Sequence, residues 1–502
     1  MMTKKISQIV ILLLLLGAFA FGQDKVEILD RYIESARKDW QVPGMSVVVV
    51  RDGKVILSKG YGIREVGKSA VVDASTLFGA MSTTKAMTAV AMGILVDEGK
   101  VNWDDKVVKH LPDFRTADQF VTGEIRVRDL FTHNAGLPNA DFLWTRATEL
   151  APDEIINRLQ YAKPAYPFRA GFVYHNVMYL VAGKIIERAS GMPWERFMIE
   201  RVFNPLGMKN TFPTLESSRA YQNRSSAHFE IKNKITVIPD MPVDTAAPAG
   251  SVWSTSDDIG RWVKFTLDNA AADGKILLKP QTFEEILKPQ VILPATFYPT
   301  FRLTKPHWTT YGLGWFQHDY RGEMVNFHTG SMPGRTAIIG LLRDKKLGVY
   351  IFGNLANAEL RHALMYKVFD LFAFDDNSRD WSAEMKALYE GIKMEAAKSL
   401  EARNATRKSD SAPSFPLNAF AGKYFDPYYG SVEVQLVEGN LRLITNRETY
   451  AVLEHWEKDA FLAKWNRGWM GEGIIRFEIN PDGKEIEIIL GGNQRFKRQA
   501  KP

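Results

Sequence analysis

The chain has 502 residues, 45% hydrophobic and 24% charged, a globular composition too long for one ordinary domain, so two or three units are expected. It contains no cysteine, which excludes disulfides, thiolate metal sites, a cysteine nucleophile and a lipid-modified N-terminal cysteine. The formal charge of +6 is spread without a basic block and gives no reason to expect nucleic acid as a partner.

In chain order, Lys4 and Lys5 precede an apolar run from Ile9 to Phe21 that ends in Ala20-Phe21-Gly22. The small residues at alternate positions suit a signal-peptidase cut before Gln23, and the run is shorter than the roughly 20 apolar residues that span a bilayer. Residues 1–22 are therefore read as a secretory signal in preference to an uncleaved anchor, and an exported protein, periplasmic or secreted, is expected. Removing them takes away two lysines and no acid, lowering the formal charge from +6 to +4.

Val26, Leu29, Ile33, Ala36 and Trp40 then recur at helical spacing, and Pro43-Gly44 ends the element. Two β-rich runs over 46–51 and 54–58 flank Asp52-Gly53, a hairpin turn because both positions need positive φ. From Ser82 to about Trp262 the pattern is mostly helical, and strands return at 312–316, 323–328, 335–342 and 347–353. Strands at both ends with helices between imply an α+β fold: one antiparallel sheet assembled from distant segments, flanked by helices, with an all-helical region beside it and a groove where the two meet. The domain is placed at 23–375. A charged helical linker follows over 376–413, its helix read as solvated. Short alternating runs over 431–437, 441–444 and 474–479, with turns at Glu438-Gly439-Asn440 and Pro481-Asp482-Gly483, predict a small all-β barrel or curled sheet at 414–502.

Four motifs bear on the chemistry. Gly62 to Ser69 matches the phosphate-loop pattern, but such a loop needs a helix to begin at its lysine, and the following Ala70-Val-Val-Asp-Ala-Ser75 has no amphipathic period. It is read as a glycine-rich turn, and no nucleotide is expected. Ser-x-x-Lys occurs at Ser35–Lys38, on the polar stretch of an amphipathic helix, and at Ser82–Lys85, where nine apolar residues from Ala86 to Val96 surround a buried helix that Gly99 would cap. Burial pushes a lysine pKa down, so Lys85 can be a neutral base, and a serine beside a base at a helix N-terminus is an activated nucleophile. Tyr-x-Asn likewise occurs twice. Tyr221 lies in a loop-like serine-rich stretch, whereas Tyr174-His175-Asn176 opens the apolar helical run through Val177, Leu180, Val181, Ile185 and Ile186. His328-Thr329-Gly330, followed by Ser331, ends a strand.

In this order, these motifs resemble the serine β-lactamase and penicillin-binding superfamily over about Ile28 to Leu371, nearest its class C-like and esterase or D-peptidase branch. Leu130-Phe-Thr-His-Asn-Ala-Gly-Leu-Pro138, Asn204-Pro-Leu-Gly-Met-Lys-Asn-Thr211, Ala249-Gly250, Ser254-Thr-Ser-Asp257 and Tyr311-Gly-Leu-Gly-Trp315 strengthen the likeness. The resemblance implies that Ser82 forms an acyl-enzyme and that Lys85 and Tyr174 share the proton. It also implies that Asn176 binds the substrate amide, that His328, Thr329 and Gly330 line the far wall, and that the amides of Ser82 and Ser331 form an oxyanion hole. The substrate is expected to be a small-molecule ester, an amide or a short peptide, D-amino-acid peptides included, with neither cofactor nor metal and with homo-oligomerisation left open.

Two departures matter. The third motif usually begins with lysine in true β-lactamases, and His328 in its place argues against penicillins, with Arg335 as an alternative source of charge. His175 is bulkier than the small residue usual there and is expected to narrow the groove. With no Ser-Asp-Asn element in the corresponding place, deacylation would rest on Tyr174 and Lys85. A β-lactamase, and a non-catalytic receptor for penicillins or cell-wall fragments, are the alternatives. The end segment resembles the lipocalin-like β-domains that follow some superfamily members, through Phe420-Ala-Gly-Lys-Tyr424, Tyr429-Gly430, Leu453-Glu-His-Trp456 and Asp459-Ala-Phe461.

Overall fold

The computed structural model describes residues 25–145, 150–408, 410–480, 485–491 and 494–500. The signal segment and the Pro481-Asp482-Gly483 turn lie outside the described residues. Among those described, no helix is long and apolar enough to cross a membrane.

A helix over 25–39 (α1) buries Leu29, Ile33 and Ala36. Strands β1 (Gly44–Arg51) and β2 (Lys54–Gly62) follow, joined at Asp52 (φ 49°) and Gly53 (φ 72°), the doubly left-handed turn that Asp-Gly favours. Six further strands complete the sheet: β3 (Val291–Ile292), β4 (Thr309–Tyr311), β5 (Phe316–Tyr320), β6 (Glu323–Met332), β7 (Arg335–Leu342) and β8 (Leu347–Gly353). Their order is β2-β1-β8-β7-β6-β5-β4-β3, antiparallel throughout, so the two chain ends of the domain meet where β1 pairs with β8.

The period-two alternation of β1 serves two cores. Val47 and Val49 pack on the face covered by α1, whereas Val48 and Val50 join the helical side. Ile338 and Ile339 on β7, and Ile351 and Phe352 on β8, divide in the same way. On the helical side lie α2 (Thr84–Asp97), α3 (Asn176–Ser190) and α4 (Ser256–Asp268), while α5 (Leu360–Ala373) covers the other face.

Three elements differ from the sequence pattern. Of the expected strand at 312–316, only Phe316 is in a strand; residues 312–315 are the connection between β4 and β5. Its Gly314 (φ 86°) runs so close to α2 that a Cβ there would sit 3.1 Å from the Lys85 carbonyl carbon, so the glycines serve close approach and not pleating. A hairpin, Ala227–Ile231 with Lys234–Ile238, interrupts the helical stretch. The helix α6 (Trp381–Ala405) is solvated over its later turns, but its start is core: Trp381 is 0% exposed, stacks on Tyr366 at 4.7 Å and donates its indole N–H to Asp370 at 2.7 Å.

Beyond α6 the chain forms a closed eight-stranded antiparallel barrel: β9 (Gly422–Asp426), β10 (Gly430–Val437), β11 (Asn440–Ile444), β12 (Tyr450–Glu457), β13 (Ala460–Trp465), β14 (Glu472–Ile479), β15 (Ile486–Leu490) and β16 (Gln494–Arg498). Pairing of Tyr424 with Arg498 closes it. Inward side chains such as Phe420, Tyr424, Leu443, Phe461, Phe477 and Phe496 fill its interior.

Candidate active site

A groove of about 350 Å³ opens between β6 and the helical region, lined by Ser82, Tyr174, Asn176, Thr329 and Ser331 among others. Ser82 lies in a single 3₁₀ turn, Met81–Thr83, that leads into α2. Met81, just before it, is held at φ 51°, a costly conformation for a residue with a side chain and one that recurs where the fold must present a reactive group.

Lys85, one turn on, is 0% exposed, and its Nζ has three oxygen neighbours: Asn176 Oδ1 at 2.7 Å, the Ala249 carbonyl at 2.8 Å and Ser82 Oγ at 3.2 Å. Burial pushes its pKa from 10.5 down to about 7, the Asp141 carboxylate pulling the other way. The same Nζ stands 4.7 Å from the Tyr174 ring centre and 5.1 Å from that of Tyr179. Tyr174 is partly buried, and desolvation holds its phenol well above the usual range, with the nearby Ser82 hydroxyl opposing the rise. Ser82, Lys85 and Tyr174 therefore converge on one crevice.

The decoys stand apart. Ser35 is exposed and Lys38 pairs with Glu34 at 3.3 Å, the Tyr221 hydroxyl donates to the Ser75 carbonyl at 3.0 Å, and no helix follows Gly62 to Ser69.

Asn176 is built into the centre. Its Oδ1 accepts from Lys85, and its Nδ2 donates to Asp141 Oδ1 at 2.8 Å, so both ends of the amide that was expected to bind substrate are already engaged. On β6, Thr329 and Ser331 reach the groove, but His328 does not line it. It is 0% exposed behind the wall, with Nε2 3.0 Å from the Tyr311 hydroxyl and Nδ1 2.7 Å from the Thr329 carbonyl. Desolvation first, then the neighbouring Lys85 charge, hold its pKa at about 3, which makes it a neutral support. Gly330 passes the Ser82 turn at a distance no side chain tolerates: a Cβ would overlap the Ala80 carbonyl and lie 3.2 Å from the Ser82 amide nitrogen.

Two further expectations are corrected. His175 does not narrow the groove; it is buried behind it, donating its backbone N–H to His133 Nδ1 at 3.0 Å. Arg335 offers the groove no free charge, since it is buried against Asp240 and the Ser225 hydroxyl and carbonyl. The guanidinium that lines the groove is Arg361, and it is already paired with Glu359 and bonded to Ser331 Oγ at 2.9 Å.

Sequence reasoning passed over Asp141, Arg361 and the aromatic wall of Trp144, Phe297, Tyr298 and Phe316. None carries a local motif; the Tyr298 hydroxyl finds Thr329 Oγ1 at 2.7 Å only through the fold. Among the described residues no cluster of three or more histidine, aspartate or glutamate side chains could hold a metal ion.

The family model described as Beta-lactamase matches residues 29–369. The chain belongs to the beta-lactamase family. Members of this family are generally serine hydrolases, and the groove lies within the matched region. A second model, a domain of unknown function (DUF3471), matches residues 406–500, the barrel. The chain is 26% identical over 500 residues to the unguisins hydrolase UngD of Aspergillus violaceofuscus, covering 92% of this chain and 87% of that one. It is 25% identical over 342 residues to protein Flp of Staphylococcus aureus, covering 66% and 64%. The fold matches the octameric penicillin-binding protein homologue from Pyrococcus abyssi with a TM-score of 0.61 at 21% identity, over 94% of this chain and all of that one.

Proposed function

We propose that this protein is an exported serine hydrolase that cleaves small esters or amides, D-amino-acid peptides included, through an acyl-enzyme on Ser82. The observation that carries the reading is the placement of Lys85 Nζ, 3.2 Å from Ser82 Oγ and held by Asn176 Oδ1 and the Ala249 carbonyl. A neutral amine has two N–H groups and one lone pair. When Lys85 is neutral, Asn176 Oδ1 and the Ala249 carbonyl can take both N–H groups, and the direction left for the lone pair is that of the Ser82 hydroxyl.

In the first step Ser82 Oγ bonds to the substrate carbonyl carbon while its proton passes to Lys85. The oxyanion is held by the backbone amides of Ser82 and Ser331; losing one such donor typically costs about 10² to 10³ in rate. Lys85 returns the proton through the Tyr174 phenol to the leaving group, and the acyl ester forms. Water then adds to the ester, its proton taken by the same pair, and Ser82 is released. The raised pKa of Tyr174 and the lowered pKa of Lys85 support a resting state with the phenol protonated and, above about pH 7, the amine mostly neutral.

The relative named as a hydrolase supports turnover over a purely receptor role. The relative described as octameric supports assembly of several copies, which light scattering of the purified protein reads directly. The deciding experiment is intact mass after a fluorophosphonate, alongside hydrolysis of chromogenic esters and D-amino-acid amides. One adduct and turnover in the wild type, both absent in Ser82→Ala, are expected. Equal labelling and turnover in Ser82→Ala would end the proposal, and an adduct that forms without any turnover across the panel would make the protein a receptor.

A further inference from the structure

The short helix Asp141–Thr145, which carries a groove-lining carboxylate, is shared between two domains. Leu143 packs into the helical core of the hydrolase domain, but its neighbour Phe142 belongs to the apolar core of the barrel, 5.6 Å from the Phe496 ring and 5.9 Å from that of Tyr429. Beside it the barrel's β9–β10 turn reaches back: Tyr428 is 4% exposed and donates its hydroxyl to the Pro138 carbonyl at 3.2 Å. Asp426 Oδ1 stiffens that turn by accepting the N–H groups of Tyr428 and Tyr429, both at 2.8 Å. A helix of five residues has too few internal hydrogen bonds to hold itself, so its position is set by what grips it.

We propose that the barrel is a positioning element of the active site: by seating Phe142 and bonding Pro138 it holds Asp141 on Asn176, and through Asn176 it sets the Lys85 amine. Phe142 and Tyr428 are thus positioning residues, not catalytic ones. An Asn side chain is nearly symmetric in shape, and its two ends differ only in who donates. Asp141 accepts only, so it fixes Nδ2 toward itself and Oδ1 toward Lys85, the orientation that occupies one N–H of the amine. If the helix drifts, the amide is free to turn, and Lys85 loses both this partner and the nearby negative charge. The barrel interior is packed with side chains, in keeping with a structural plug and not a ligand cup.

The inference rests on the acyl-enzyme reading, and its test separates the two. Acylation of full-length protein by a chromogenic ester is followed against pH in Phe142→Ala, Phe142→Leu, Tyr428→Phe, Asp141→Asn and the Phe142→Ala/Asp141→Asn double variant. The charged or titratable groups facing Lys85 are Asp141, His133, His328, Tyr174 and Tyr179; burial lowers both imidazoles and raises both phenols, which keeps all four neutral, so Asp141 is the charge whose displacement is read. Phe142→Ala is expected to lose about tenfold or more in kcat/KM, and its acid limb should move to lower pH, because Asp141 raises the Lys85 pKa. Phe142→Leu, which keeps an apolar plug, should recover most of the rate. In the Asp141→Asn background the Phe142 change should add little, since both act on one contact.

Multiplicative losses in the double variant, or an unmoved acid limb in folded Phe142→Ala, overturn the inference. Should Phe142→Ala fail to fold, Tyr428→Phe decides: it removes one hydroxyl and must show the same shift in smaller measure, and a wild-type limb there overturns the inference as well. An active Ser82→Ala sinks the functional reading itself, whereas an inert Ser82→Ala beside an insensitive Phe142→Ala sinks only the role of the barrel.

Discussion

If Lys85 is the base, acylation must follow its neutral fraction, and the structure sets where that fraction changes. Burial brings the pKa from 10.5 to about 7. A base works when deprotonated, so the rate is full well above pH 7 and falls as the pH drops through it. At one pH unit below the pKa about one molecule in eleven holds the free amine, and at two units about one in a hundred, so acylation should fall about tenfold at pH 6 and about a hundredfold at pH 5 relative to pH 8.5. Other residues do not blur this limb: burial holds His175 at about 4 and His328 at about 3, and keeps His133 well below its usual value. The phenol of Tyr174 is pushed well upward, beyond the range of the assay. The measurement is the pre-steady-state rate of Ser82 labelling by a fluorophosphonate, a reagent whose own charge does not change across these pH values. Lys85→Ala should lack the limb and react about 10² to 10⁴ times more slowly at pH 8.5. A rate still climbing steeply from pH 9 to 10 would mean an ordinary lysine pKa, and a flat rate from pH 5 to 8.5 would mean that Lys85 is not the base.

Gly330→Ala should cost at least tenfold in kcat and about 1–3 kcal/mol in stability, because the added Cβ meets the Ala80 carbonyl and forces the Ser82 turn to move; urea melts and ester turnover read the two effects. Trp381→Ala should lower stability by about 3–5 kcal/mol while leaving the pH profile unchanged, since it removes a fully buried ring far from the groove; a loss under about 1 kcal/mol would mean that α6 is only a tether. Because Arg361 is paired with Glu359 and Arg335 with Asp240, the groove has little free positive charge for a carboxylate. A neutral aryl ester should therefore be cleaved with kcat/KM at least tenfold above its carboxylate-bearing analogue, and the reverse order would show that Arg361 is available to substrate.

The meeting of Ser82 and Lys85 at one groove was legible in the sequence because their environment is written locally. Nine apolar residues around α2 leave a lysine no solvated direction, and that alone distinguishes Lys85 from Lys38, whose helix keeps a polar face. The sheet was legible for a similar reason: the strand limits at 335–342 and 347–353 follow from continuous apolar runs bounded by a charged turn. The failures concern residues whose meaning is set by distant chain. The glycines at 312 and 314 look like part of a strand until the backbone packed on them is seen, the Ile286 and Lys288 carbonyls against Gly312 and α2 against Gly314. His328 stands where a substrate-facing charge is usual, yet Tyr311 and the groove's aromatic wall bury it, and desolvation beside the Lys85 amine keeps the imidazole neutral. Asp141 had no signal at all. Its helix is too short to announce itself, and the side chain beside it, Phe142, is apolar on account of a barrel whose strands begin far downstream. The groove thus divides by origin: the Ser82–Lys85 pair is encoded within one helical turn, whereas the Asp141 carboxylate that accepts from Asn176 is carried on a short helix whose side chains pack into the cores of both domains.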